Sequence, residues 1–166
     1  MKNYNFLILL MLSMLIFSCR PEAFKEIGTA NNNLSALSGT WQIVKVLQTD
    51  ADAQKKGFPY QTMDLTNVFP YTEFKMTFNT SGNAPTTFTV TPGNAPRIIP
   101  MTSGNWKADN MEAPKILTLT SGTESSTVTL GSYPTGANPN LKLRQERKDP
   151  SGKVLIIYDY EFKKVN

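Results

Sequence analysis

Residues 153–163 read KVLIIYDYEFK, and Val154, Ile156, Tyr158, Tyr160 and Phe162 occupy alternate positions. A period of two puts those side chains on one face of a strand, with Asp159 and Glu161 on the other. The same pattern recurs upstream. Residues 41–49 (WQIVKVLQT) are rich in β-branched side chains, and residues 72–79 (TEFKMTFN) alternate Phe74, Met76 and Phe78 with polar neighbours. Residues 86–91 set Phe88 and Val90 in register, residues 104–109 carry Trp106, and residues 115–121 place Leu117 and Leu119 together. Val128 and Leu130 do the same in residues 126–130, as do Leu141 and Leu143 in residues 141–147. Turn formers punctuate these runs: Ser81-Gly82-Asn83, Pro92-Gly93-Asn94, Ser121-Gly122, residues 134–139, and Asp149-Pro150-Ser151-Gly152. The last is the strongest hairpin signal. No amphipathic helix stands out. The expectation is an all-β domain of about eight antiparallel strands, an up-and-down meander closed into a barrel. Closure also removes the edges that such threonine-rich strands would otherwise expose.

The start of the chain follows a different logic. Lys2 precedes an apolar run, FLILLMLSMLIF, at residues 6–17. That run is shorter than the roughly 20 residues a membrane-spanning helix needs, and suits the h-region of a signal peptide. Ser18 and Cys19 follow, and Cys19 is the single cysteine of the chain. A small residue before cysteine at that place resembles a bacterial lipobox, with Ile16 where leucine is usual and Phe17 where a small residue is usual. The resemblance implies cleavage before Cys19 and diacylglycerol on its sulfur, with acyl chains enough for stable anchoring. The expected organisation is a signal peptide at 1–18, a lipidated tether at 19–38 and the barrel domain at 39–166. The expected location is the cell envelope, as an outer membrane lipoprotein.

Composition narrows the chemistry. Seventeen basic side chains face thirteen acidic ones, and there is no histidine. The missing imidazole removes the commonest general base and metal ligand, and the one cysteine is assigned to lipid. No metal and no cofactor is therefore expected. Lys142, Arg144, Arg147 and Lys148 cluster, but Glu146 interleaves them, and the reading is a solvated strand end rather than a nucleic-acid surface. Asp159 and Glu161 lie two apart, ~7 Å along a strand, a spacing that could suit an inverting glycosidase pair. Their face is opposite the apolar one, so the expectation is two outward carboxylates beside basic side chains and no enzyme.

One stretch breaks the rhythm. Residues 50–71 are long and mixed, with Lys55-Lys56 followed by Phe58, Tyr60, Phe69 and Tyr71. Long ordered loops are often lids or binding loops. The segment is expected to cross one barrel end, with a helical turn near residues 65–68, either as a binding lid or as a plug. Its aromatics, and Tyr133 in another loop, suit a sugar ring or an apolar ligand, or simply cap the core. Arg97, in PRIIP, stands to meet an anion at the barrel mouth or to extend into solvent.

At Ser38-Gly39-Thr40-Trp41 the sequence looks like a lipocalin-type start, a Gly-x-Trp on the first barrel strand, and the pattern recurs at Ser103-Gly104-Asn105-Trp106. With DLTNVFPYTEF, TPGNAPRIIP, SGNW, LTLTSG and TLGSYP in this order, the chain resembles a family of lipocalin-like lipoproteins of Bacteroidota known mainly as a domain of unknown function. The resemblance implies the barrel and its envelope location, and supplies no catalytic residue. It also implies a tryptophan in the barrel floor, at Trp41, under an arginine from a late strand, for which Arg144 is the candidate. The functional expectation is a non-enzymatic, membrane-anchored module that binds a small apolar or glycan-like ligand through Tyr60, Phe69, Tyr71 and Arg97. The rival expectation is a structural or protein-interaction subunit of an envelope complex.

Overall fold

The computed structural model describes residues 33–135 and 138–165. The expected signal segment, Cys19 and most of the expected tether lie outside the described residues. The strands are β1 (Gly39–Asp50), β2 (Thr62–Asp64), β3 (Lys75–Ser81), β4 (Ala84–Thr91), β5 (Ser103–Ala108), β6 (Ile116–Ser121), β7 (Glu124–Ser132), β8 (Leu141–Lys148) and β9 (Val154–Val165). They pair in the order β2-β1-β3-β4-β5-β6-β7-β8-β9, and β1 also pairs with β9. Every pairing is antiparallel. All strands but β2 thus form a closed barrel, as the alternation predicts. The short β2 rides on β1 at Leu47–Thr49, above the point where β3 stops pairing at Gln42.

The barrel interior is filled. Trp41, Trp106, Phe74, Phe78, Phe88 and Phe162 are all nearly inaccessible to solvent. Phe78 tilts against Trp106 with ring centroids 5.0 Å apart, and Phe74 meets Phe162 edge-on at 6.2 Å. Burying each such side chain contributes about 1.5–3 kcal/mol. The apolar face of β9 is only partly in this core. Tyr160 and Phe162 are buried, whereas Val154, Ile156 and Tyr158 are half-buried near the end where β9 begins. In β1 the register shifts between Ile43 and Lys45. Val44 is the extra residue, so the inward positions pass from Trp41 and Ile43 to Val46.

Two short helices were not visible in the pattern. The first, α1 (Leu34–Leu37), buries both of its leucines, with Leu37 0% exposed. The indole of Trp41 donates to the Leu37 carbonyl at 2.7 Å, and the Asn33 amide donates to the Met111 carbonyl at 3.1 Å. Residues 33–38 therefore close the barrel end at which β1 starts, instead of ending the tether. The second, α2 (Ala51–Lys56), is capped by Asp50, which accepts from the amides of Asp52 and Ala53 at 2.9 Å. Gly57 terminates it in the left-handed region, φ 68°. The turn expected near residues 65–68 is present, the Val68 amide donating to the Leu65 carbonyl at 3.0 Å.

Trp41 and Trp106 are both buried in the core, and the cation over Trp41 differs from the one expected. Lys164 Nζ sits 5.6 Å above its ring, and Arg144 lies on the outer wall bound to Asp159. The register explains it: Trp41 pairs with Lys164, while Arg144 has the parity opposite to buried Leu143. Gly39, at φ 113°, leaves room for the Lys164 stem, and a side chain at Gly104 would run into the Thr120 carbonyl. The Asp149–Gly152 hairpin holds as predicted, with Asp149 Oδ1 accepting from the Ser151 amide, the Ser151 hydroxyl and the Lys153 amide at 2.9, 2.6 and 3.0 Å. Those donors, the Ser151 hydroxyl first, hold the Asp149 carboxyl below the usual carboxylate range.

If α1 is a barrel plug, Leu37→Ala should cost about 2–5 kcal/mol and lower the thermal midpoint by several degrees, as core leucine truncations do. Scanning calorimetry of the variant checks this; a midpoint unchanged from the parent would return residues 34–37 to the tether.

Candidate functional site

The barrel wall splits between β7 and β8. Their ladder runs from Ser132↔Lys142 to Thr129↔Arg144 and ends there. On either side the walls continue: β8 stays paired with β9 to Lys148↔Val154, and β7 with β6 to Ser121↔Glu124. The segment connecting β4 to β5, residues 92–102, reaches this gap. Its Ile98 carbonyl accepts from the side-chain amide of Gln145 at 2.8 Å, while Ile98, Ile99 and Met101 are buried in the core. The result is a cleft of about 720 Å³ opening at the barrel mouth. That volume lies within the range of small-molecule sites, roughly 300–1,000 Å³. Because the cleft faces a strand edge, both faces of β8 line it, from Arg144 to Lys148.

Aromatic rings form one side. Tyr158 and Tyr160 stack with centroids 6.2 Å apart, and Tyr71 meets Tyr160 edge-on at 6.1 Å. Tyr71 is brought there by the short 3-10 turn Tyr71–Glu73, which replaces the first residues of the strand expected from residue 72. Tyr160 is 5% exposed and burial pushes its phenol well above the ordinary value; burial also raises Tyr71, with the neighbouring Tyr158 adding to it.

Cations form the other side. Arg97, Arg144, Arg147 and Lys148 all line the cleft, against one lining carboxylate, Glu146. Arg144 is occupied, gripping Asp159 through Nε at 2.7 Å and Nη2 at 3.0 Å, which keeps its guanidinium still more firmly protonated. Lys148 pairs with Glu146 at 3.3 Å. Arg97 donates to the Pro100 carbonyl, and neither it nor Arg147 has a carboxylate partner among the described residues. Thr127, Thr129 and Gln145 add neutral polar groups. The same connecting segment covers a smaller apolar recess of about 290 Å³ beside Phe74 and Val90, which Arg97 also borders.

Of the four ligand-binding residues expected from sequence, Tyr71 and Arg97 meet at this cleft. Phe69 touches Tyr71 edge-on at 5.9 Å but is half-exposed and lies outside the lining, and Tyr60 is 95% exposed. The long segment therefore divides: Leu65 and Tyr71 enter the core, and Phe58, Tyr60, Met63 and Phe69 stand in solvent around β2. The basic cluster on β8 is solvent-facing, and three of its members, Arg144, Arg147 and Lys148, also line the cleft with Arg97, while Lys142 does not. Sequence reasoning also missed Tyr158 and Tyr160 as site residues, since they share the parity of buried Phe162. Asp159 and Glu161 face outward beside cations, Glu161 meeting Lys142 at 3.4 Å and the Asn140 amide at 2.6 Å. Among the described residues no group of carboxylates or thiols gathers as a metal site would.

The model of a family described as Domain of unknown function (DUF5004) matches residues 19–142. No curated protein matches the chain.

The buried phenols set an alkaline limit. Their folded-state values lie above the unfolded value near 10, so above about pH 10 the unfolded chain releases protons that the folded chain retains. Stability should then be flat below about pH 10 and fall as pH rises past it. Urea midpoints measured from pH 8 to 11 read this, and Tyr160→Phe should shallow the alkaline slope; an unchanged slope would count against burial of that phenol.

Proposed function

Because the chain belongs to the DUF5004 family, whose description assigns no activity, we propose its function from the site: a non-enzymatic binding module that holds a small glycan-like ligand in the β7–β8 cleft. The observation that carries this reading is the convergence of Tyr71, Tyr158 and Arg97 on a cleft of about 720 Å³. Phenol rings with polar tips offer a stacking face and hydrogen bonds together, the combination sugar rings use. The filled interior argues for the mouth over the barrel's depth, and the mixed polar lining argues for a glycan-like ligand over a purely apolar one.

The same proposal makes the chain a lipocalin-like lipoprotein of the Bacteroidota type, held in the outer membrane through lipid on Cys19. Support comes from the apolar run at residues 6–17, the Ser18-Cys19 junction and the lack of any second cysteine. The tether would then be residues 19–32, since residues 33–38 pack on the barrel. A second reading, a protein-interaction subunit of an envelope complex, is favoured by exposed Phe58, Tyr60, Met63, Val68 and Phe69 around the open edge of β2.

Two measurements test the proposal. Isothermal titration with neutral and acidic oligosaccharides should give binding that Tyr158→Ala weakens about tenfold, by loss of a stacking ring. Binding that survives Tyr158→Ala and is lost in a Tyr60→Ser, Phe69→Ser variant would move the site to the β2 segment. For the anchor, mass spectrometry of the membrane form should show acyl chains on Cys19 and none in Cys19→Ser. An unmodified amino terminus would refute the anchor.

A further inference from the structure

The cleft's charge is unbalanced in one place. Of its four lining cations, Arg144 is neutralised by Asp159 and Lys148 by Glu146. Arg97 and Arg147 remain, one on the segment connecting β4 to β5 and one on β8, on the same cleft and without a carboxylate. Like charges lining one cleft repel when no anion lies between them, and the repulsion turns to binding energy when one does. The Arg97 guanidinium is also steered, by its hydrogen bond to the Pro100 carbonyl three residues on. A guanidinium presents a planar fork that matches a carboxylate.

Resting on the cleft reading given above, we propose that the ligand is an acidic saccharide, its carboxylate held between Arg97 and Arg147 and its ring lying toward Tyr158. Thr127, Thr129 and Gln145 supply the donors and acceptors that ring hydroxyls need. The acid group gives specificity through the unpaired charges, and neutral sugars of the same size lack that interaction. Charge attraction in an open cleft is screened by salt, so affinity depends on ionic strength.

The test uses the full chain in detergent micelles and isothermal titration with three probes: trigalacturonate, a neutral galactose trisaccharide and inorganic phosphate. Trigalacturonate should bind at least tenfold more tightly than the neutral trisaccharide. Arg97→Ala and Arg147→Ala should each weaken trigalacturonate binding by about 10- to 100-fold, the size expected for a lost charge-assisted hydrogen bond. Lys107→Ala, an exposed β5 site that makes the same change in net charge, should leave binding intact. Thermal midpoints of the variants confirm folding. Equal affinity for acidic and neutral trisaccharides would overturn the acid clamp and leave the glycan reading standing. Phosphate binding as tight as trigalacturonate, with the same arginine dependence, would overturn the saccharide class. Failure of both sugars to bind would remove the cleft reading and this inference with it.

Discussion

The β1–β9 ladder is the constraint on which the rest of this structure depends. It runs from Thr40↔Val165 to Asp50↔Ile156, along nearly the whole of both strands. Without it the meander is an open sheet with two long edges, and edges of that kind invite pairing with other chains. With it, the inward faces of all the barrel strands turn toward one axis. Phe162 can then meet Phe74, and Tyr160 can meet Tyr71, across more than eighty residues of chain. The extra residue at Val44 lets β1 bend through that closure while keeping Val46 in the core.

Closure at one seam is combined with release at another. The end at which β1 begins is sealed by α1, by Trp41 and by Lys164 above the indole. At the far end β1 leaves β3 and takes β2 instead, and β7 leaves β8. The segment at residues 92–102 occupies part of the opening through Ile98. A packed lower barrel fixes the positions of Tyr158, Tyr160 and β8; the split upper wall leaves Tyr158 half-buried and the end of β8 exposed, while Tyr160 stays buried behind them. A rigid frame carrying its polar groups at an open mouth suits the proposed binding role, since ordering costs would be met in folding and not at each binding event.

The architecture was legible because period-two alternation survives in most barrel strands, β1 changing phase at Val44, and Gly, Pro and Asn mark nearly every hairpin. What was not legible depended on register or on tertiary contact. The Leu34 and Leu37 pair reads as two stray apolar residues in a polar tether until the barrel end is there to receive them. The D-A-D-A-Q-K-K-G run at residues 50–57 carries an N-cap aspartate and a terminating glycine, but it is too short to show an amphipathic period. The cation over Trp41 could not be chosen between Arg144 and Lys164 without the β1–β9 register. Tyr158 has the parity of a core residue, and its half-exposure follows from the end of the β7–β8 ladder, which no local pattern announces. Arg97 was identified from its apolar flanks, but its companion, Arg147, needed the fold.

The central claim is that ligand enters the split between β7 and β8 and not the barrel's depth or the β2 surface. Amide-proton NMR of the isotopically labelled chain, titrated with trigalacturonate, tests it most directly. The account predicts shifts in the amides of Thr127, Thr129 and residues 145–148, with the Trp41 and Trp106 indole signals unmoved. Shifts centred on those indoles, or on residues 58–69 with β8 silent, would contradict it.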